Sequence, residues 1–128
     1  RRDQHFAPGS ILRVDVDPEH PIGYGMAPHT YGFYNNSPFF VITDGPEAGK
    51  ATVVASYPKT DVLASGWLKG EELMAGRAAV VTIDMAPGRI VLFGLRPQHR
   101  AQTHATFPLL FNALYLAAAE PGAALTSQ

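Results

Sequence analysis

The strongest constraint on folding is a pair of β-rich runs near the C-terminal end, separated by a short turn. Residues 78–84 (AAVVTID) and 89–95 (RIVLFGL) flank the turn sequence MAPG. Such runs around a Pro-Gly turn favour a β-hairpin, with Gly88 at a left-handed backbone position. The uninterrupted apolar stretch IVLF predicts a strand that is covered on both faces. We therefore expect a sheet built around this hairpin.

An apolar helix is predicted shortly after the hairpin. Thr106 is suitable as its N-cap and Pro108 as a first-turn residue, which places the start near 104–107. The Pro-Gly pair at 121–122 would end it. Apolar residues recur along it at the spacing of one helical face, namely Phe107, Leu110, Phe111, Leu114 and Ala118. Two further leucines, Leu109 and Leu116, widen this apolar face.

The preceding part of the chain predicts further strands. Residues 10–17 alternate as in a half-buried strand, and 39–43 and 51–57 read as two strands joined by turn residues. Residues 18–38, rich in Pro, Gly and Asn, predict an irregular surface loop. A short helical turn is expected around 71–75. The fold class is mixed α/β (α+β), with a mixed sheet, a late β-hairpin and a C-terminal helix.

The composition limits the classes of protein. At 128 residues the chain is either a single domain, 1–128, or a C-terminal domain fragment of a larger protein, since several short strands and one good helix leave apolar sheet surface uncovered. A net charge of −1 predicts no nucleic-acid partner. No apolar run approaches the roughly 20 residues of a membrane span. The absence of cysteine excludes a thiol nucleophile and Cys-ligated zinc.

The densest polar stretch, RPQHRAQTH at 96–104, lies between the hairpin and the helix. Guanidinium groups suit carboxylates or carbonyl groups, and the following helix N-terminus favours an anion. We favour a structural interpretation, in which these side chains satisfy backbone groups at a strand-to-helix junction. An anionic ligand is the open alternative, with the candidate residues Arg96, His99, Arg100 and His104.

Two further hypotheses use residues outside this junction. A small-molecule or carbohydrate-binding module would combine the junction residues with aromatic side chains for stacking, namely Tyr24, Tyr31, Tyr34 and Trp67. A small hydrolase would need a carboxylate within hydrogen-bond reach of a histidine. Its candidate pairs join His99 or His104 to Asp15 or Asp17, although alternating acids on a strand more often form its solvent face.

The segments PGSILRVDVDPEHPIGYGM and YPKTDVLASGWLKGEELMAGRAAVVTIDMAPGRIVLFGLRPQHRAQTHATFPLLFNAL together resemble the C-terminal portion of bacterial secreted proteins of the zinc carboxypeptidase (carboxypeptidase A type) family. The resemblance covers about residues 8–116. It implies a partial class I glutamine amidotransferase-like, flavodoxin-like sheet in this segment, with the peptidase domain upstream.

The resemblance also implies a context. The family's His-x-x-Glu zinc motif has no match here, and amidotransfer needs a cysteine that the chain lacks, so no catalytic residue carries over. The expected function is a non-catalytic accessory domain, structural or ligand-binding, of an exported (periplasmic or extracellular) metallopeptidase. We expect no cofactor in this segment, with zinc confined to the upstream domain. The expected partners are that upstream domain and a second copy of the chain in a homodimer.

Overall fold

The computed structural model describes residues 4–43, 45–46, 50–100 and 104–119. These residues form a curled antiparallel sheet and a C-terminal helix, which confirms the mixed α/β class. The elements in chain order are β1 (Ser10–Val16), β2 (His29–Tyr34), β3 (Ala51–Ser56), β4 (Leu63–Ser65), α1 (Glu71–Met74), β5 (Ala78–Met85), β6 (Gly88–Phe93) and α2 (Phe107–Ala119).

The strands follow the order β2-β1-β3-β5-β6, and β4 pairs with β1 beside the end of β3. The sheet curls far enough for the chain beyond β6 to reach the opposite edge. There the Arg96 backbone N–H donates to the Phe33 carbonyl of β2 at 2.9 Å. This hydrogen bond connects the two ends of the strand order, so the sheet wraps around its own core.

The core lies inside the curl. Its fully or almost fully buried side chains include Leu12 and Val14 of β1, Val54 of β3 and Val80 of β5. Leu109 of α2 is also fully buried and joins the same cluster. Helix α2 is held by Asn112, whose side-chain amide donates to two carbonyls of the 21–24 segment at 2.9 Å each. Helix α2 therefore completes a core to which the strands, the short helix α1 and several connecting segments also contribute.

The predicted hairpin is confirmed as β5 and β6, with two details corrected. The reversal contains a cis peptide bond between Ala86 and Pro87, and Gly88 is not at positive φ. Strand β6 is not covered on both faces, because none of its residues is buried and Ile90 is 43% exposed. The physical reason is its position, since among the described strands β6 pairs with β5 alone and forms the edge of the sheet.

The predicted C-terminal helix is confirmed as α2, with Pro108 in its first turn. Its buried face differs from the predicted one. Leu109 is fully buried and Ala113 and Leu116 pack against the core, whereas Phe111 and Leu114 are 51% and 59% exposed. A helix that is apolar on most sides has no decisive periodicity, so the sequence could not select the face. The Pro-Gly pair at 121–122 lies outside the described residues.

Two predictions for the first half of the chain are wrong. The stretch predicted as an irregular loop contains β2, which pairs with β1 along its full length. The predicted strand at 39–43 is not one, since only Phe40 makes an isolated bridge, to Ala78. Strand β3 pairs instead with β5 and β1. At Gly32 a buried position of β2 carries no apolar side chain. A Cβ at this position would lie 3.0 Å from a methyl group of Leu95.

The flavodoxin-like part of the expectation is not confirmed. That architecture is built on parallel strands with helices on both faces. Every pair of strands in the described part of the chain is antiparallel. The mixed α/β class therefore stands, whereas the more specific sheet topology does not.

Candidate functional site

The polar junction between β6 and α2 closes the sheet. Its first residue, Arg96, pairs through its backbone with Phe33 of β2. The imidazole of His99 then stacks on the Phe33 ring, with centroids 4.4 Å apart and planes at 6°. The Arg96 guanidinium lies 3.4 Å from His99 Nδ1. These contacts support the structural interpretation of the junction, since they attach it to a strand more than 60 residues earlier.

The rest of the junction is also engaged locally. The Thr106 hydroxyl donates to the Pro97 carbonyl at 3.0 Å and is fully buried. His104 is exposed, and its ring contacts the Phe107 ring at a centroid distance of 5.0 Å. Arg100 is exposed and has a positive φ of 47°, which marks the tight change of direction here. Residues 101–103 lie outside the described part of the chain.

The four aromatic residues predicted to stack on a ligand are in different environments. Tyr34 is fully buried, its hydroxyl donates to the Ser37 carbonyl, and burial raises its pKa to about 12. Tyr34 is therefore a core residue that offers no free ring face. Trp67 is 68% exposed and Tyr24 75% exposed, and neither lines any of the grooves described below. Tyr31, which is 51% exposed, does line one.

The groove that contains Tyr31 lies on the outer face of β1 and β2 and has a volume of about 170 Å³. We call it the β1–β2 groove; its lining residues are Arg13, Val14, Asp15, His29, Thr30, Tyr31, Pro58, Thr60 and Asp61. The strand register places Arg13 opposite Tyr31 and Asp15 opposite His29. In the second pair, His29 Nδ1 lies 2.8 Å from Asp15 Oδ1. The groove therefore combines an aromatic ring with a histidine–aspartate pair.

Arg13, which lines this groove, holds the loop between β3 and β4. Its Nη1 donates to the carbonyls of Asp61 and Leu63 at 2.8 and 2.6 Å. The same nitrogen lies 3.2 Å from the Asp61 carboxylate. Asp61 has a left-handed backbone, with φ of 58°, which a non-glycine residue rarely adopts. This set of contacts positions the Asp61 carboxylate at the groove.

The hydrolase hypothesis is not supported by the placement of its carboxylates. Asp15 pairs with His29, and Asp17 accepts a hydrogen bond from the Glu19 backbone N–H at 3.0 Å. Within the described residues, neither His99 nor His104 is paired with a carboxylate. Sequence reasoning missed His29 because the stretch containing it was interpreted as a loop. A strand assignment for HTYGFY would have placed His29 and Tyr31 on one face of the sheet, but the partner of His29 depends on the register of β1 with β2.

A second surface feature is the outer face of β3, β5 and β6. Register aligns Val53, Val81 and Leu92 across the three strands, and Ile83 and Ile90 in the next row. The segment 40–43 borders them, forming a shallow groove of about 230 Å³. We call this surface the apolar face; its exposed members are Val41, Ile42, Val53, Met85 and Ile90, with exposures of 39–53%.

No His, Asp or Glu cluster that could hold a metal ion is found among the described residues. The helices of that same part of the chain are too short to span a bilayer. Comparison of the chain with protein-family models, with curated proteins and with solved structures found no match. The resemblance to zinc carboxypeptidase family proteins therefore stays a prediction.

Proposed function

We propose that this chain is a non-catalytic accessory domain of an exported zinc-carboxypeptidase-like metallopeptidase, and that it works by packing its apolar face against another part of that protein. The resemblance of residues 8–116 supports the family context. The observation that carries the mode of action is the apolar face, because it places five exposed large apolar side chains on and beside three adjacent strands.

Such an apolar face is unusual for a sheet whose outer face contacts solvent. An antiparallel sheet with one solvated face alternates apolar residues inside with polar residues outside. In β5 the outward positions are instead Val81, Ile83 and Met85, and the paired positions of β6 are Leu92 and Ile90. Val81 is only 2% exposed, whereas Met85 and Ile90 at the outer end of this face are 53% and 43% exposed. Edge strands are normally protected by charged residues or by cover from another element. A neighbouring domain that covers this face removes both the exposed apolar area and the open edge.

The proposal is tested by photo-crosslinking in the full natural polypeptide that carries this sequence. Ile90 is replaced by benzoylphenylalanine, and mass spectrometry identifies the residues it captures. Tyr24, 75% exposed and not part of the apolar face, is replaced in the same way as the matched control. We expect capture of residues outside 1–128 from position 90 and none from position 24. Equal capture at both positions, or none at position 90, overturns the proposal.

The same experiment separates a neighbouring domain from a homodimer. If the apolar face binds a second copy, position 90 captures residues within 1–128 of another molecule, which appears as a crosslinked dimer on denaturing gels. That outcome would replace the proposed neighbour by a second copy. Light scattering of the isolated chain at high concentration gives an independent measure of its self-association.

A further inference from the structure

The β1–β2 groove is a separate feature from the apolar face, on different strands. From it we propose that the chain binds one polyhydroxylated six-membered ring, the size of a single pyranose sugar, with Tyr31 as the stacking surface and Asp15, His29 and Asp61 as hydrogen-bonding groups. This inference goes beyond the proposed packing role and does not depend on it.

The size of the groove limits the ligand. Sites for drug-sized molecules begin at about 300 Å³, and this groove has a volume of about 170 Å³. A single ring with its substituents is therefore the largest group that it encloses. Longer glycans could enter only with one terminal unit in the groove and the remainder in solvent.

The exposed Tyr31 ring favours a ligand that has a flat, weakly polar face. Tyr31 of β2 is 51% exposed. The guanidinium of its register partner, Arg13, donates hydrogen bonds to the loop carbonyls. Pro58 adds a second apolar wall. An exposed tyrosine offers a large stacking surface at low entropic cost, and the C–H face of a pyranose is a suitable partner for it.

The polar groups suit hydroxyl groups rather than ions. The Asp15–His29 contact uses one atom of each side chain, Oδ1 and Nδ1, and His29 Nε2 makes no hydrogen bond to a described residue. A carboxylate accepts hydrogen bonds from neighbouring hydroxyls, and an imidazole nitrogen either donates or accepts. The three groups together can therefore receive a ring whose hydroxyls are both donors and acceptors.

The charge balance disfavours other small ligands. The two carboxylates outnumber the single guanidinium of the groove, which disfavours phosphate or carboxylate ligands. A cation would have to compete with Arg13 and His29, which already pair with the two carboxylates. A neutral polyol keeps the Arg13–Asp61 ion pair and the His29–Asp15 hydrogen bond and adds further hydrogen bonds to these groups.

The test is an NMR titration of the folded chain with methyl glycosides of glucose, galactose, mannose and N-acetylglucosamine. With few contacts and an open groove, we expect a Kd of about millimolar order for at least one of them. The backbone amide shifts should be confined to the β1–β2 groove. Inorganic phosphate and methylammonium are titrated in parallel as anionic and cationic probes.

Variants assign the binding to the groove. Tyr31→Ala should weaken binding at least about tenfold, whereas Tyr31→Phe, which keeps the ring, should retain it. Asp15→Asn should also weaken it, and Tyr24→Ala, an exposed tyrosine outside the groove, should leave it unchanged. The amide spectrum of each variant verifies that it is folded.

Three outcomes overturn the inference. The first is the absence of shifts for every glycoside at up to about 50 mM, well above a millimolar Kd. The second is binding of phosphate or methylammonium in the groove without any glycoside binding. The third is glycoside binding that Tyr31→Ala and Tyr24→Ala affect equally.

Discussion

The imidazole ring of His99 lies flat against the phenyl ring of Phe33, with centroids 4.4 Å apart and an interplanar angle of 6°. Phe33 is two residues from Tyr31 along β2, so the two side chains leave the same face of the sheet about 7 Å apart. The junction and the β1–β2 groove are thus neighbours on one surface. The stack also explains why Phe33, on an outer face, is only 8% exposed.

The first prediction concerns this stack. His99→Ala should lower the free energy of unfolding by about 0.5–1.5 kcal/mol beyond the loss of buried area, because it uncovers Phe33. His99→Phe should largely retain stability, since a flat ring still covers Phe33. Urea unfolding measures both, with the exposed Gln98→Ala as a control in the same segment. Equal destabilisation by His99→Ala and His99→Phe would show that a hydrogen bond, not stacking, holds the junction.

The second prediction concerns alkaline pH. Burial, aided by the nearby Tyr34, raises the pKa of Tyr57 well above its ordinary value of 10.0, and the buried hydroxyl donates to the Gly94 carbonyl at 3.0 Å. Since the unfolded chain loses this proton first, the stabilisation is complete below pH 10 and declines as the pH rises further. Tyr34, with its pKa near 12, adds to the same decline.

Tyr57→Phe separates these effects. At neutral pH it should cost about 1 kcal/mol through the lost hydrogen bond. Above pH 10 the free energy of unfolding of the variant should fall less steeply than that of the unaltered chain. Thermal unfolding at several pH values between 8 and about 11 measures both slopes, and parallel slopes would contradict the prediction.

The third prediction concerns mildly acidic pH. Burial lowers the pKa of His20 below its ordinary value of 6.5; Asp17 partly opposes this and Arg89 adds to it. The neutral ring is used structurally, because His20 Nδ1 accepts a hydrogen bond from the Ile22 backbone N–H at 3.1 Å. The resulting stabilisation is present above pH 6.5 and is lost as the pH falls through the lowered pKa, since the unfolded chain binds the proton first.

His20 is the N-cap of a single 3₁₀ turn, Pro21–Gly23. The matched variant is His20→Asn, which keeps a side-chain acceptor at this position but does not titrate. It should show a smaller loss of unfolding free energy between pH 7 and about pH 5. Urea midpoints across this range provide the comparison. An unchanged pH dependence in the variant would assign the acid sensitivity to another group.

The fourth prediction concerns a close backbone approach beyond β6. A Cβ on Gly94 would lie 2.4 Å from the Pro38 carbonyl oxygen and 3.0 Å from that of Ala79. Gly94→Ala must therefore displace backbone, with an expected cost of about 1–3 kcal/mol or more. At Gly45 a Cβ meets nothing within 4 Å, so Gly45→Ala is the control and should leave the melting temperature unchanged within error. A tolerated Gly94→Ala would show that the 38–40 segment is not held against the chain at Gly94, just beyond β6.

The local elements were predictable because their signals are short-range. The β5–β6 hairpin and α2 follow from contiguous runs and from Pro108, and no distant residue is needed to recognise them. The face of α2 was not predictable in the same way. Leu109 and Leu114 are equally apolar, yet Leu109 is fully buried and Leu114 is 59% exposed, because the core reaches only one side of the helix.

The candidate site depended on pairing over longer distances. Asp15 and His29 are polar residues of ordinary sequence context, and only the antiparallel register of β1 with β2 places them opposite each other. With 18–38 interpreted as a loop, His29 had no predicted partner and Tyr31 no predicted surface. Tyr34 illustrates the opposite case, as an aromatic residue proposed for ligand binding that belongs to the core.

By itself, the sequence determined the local elements at the C-terminal end and the exclusion of cysteine chemistry, because both depend on residue type and on neighbours within a few positions. The tertiary structure decided the rest. Curling of the sheet brought Arg96 and His99 onto Phe33 and so made the polar stretch 96–104 a closure of the fold. It also left the outer face of β3, β5 and β6 apolar and formed the β1–β2 groove. Such outcomes depend on strand register, which sets which distant side chains share a face.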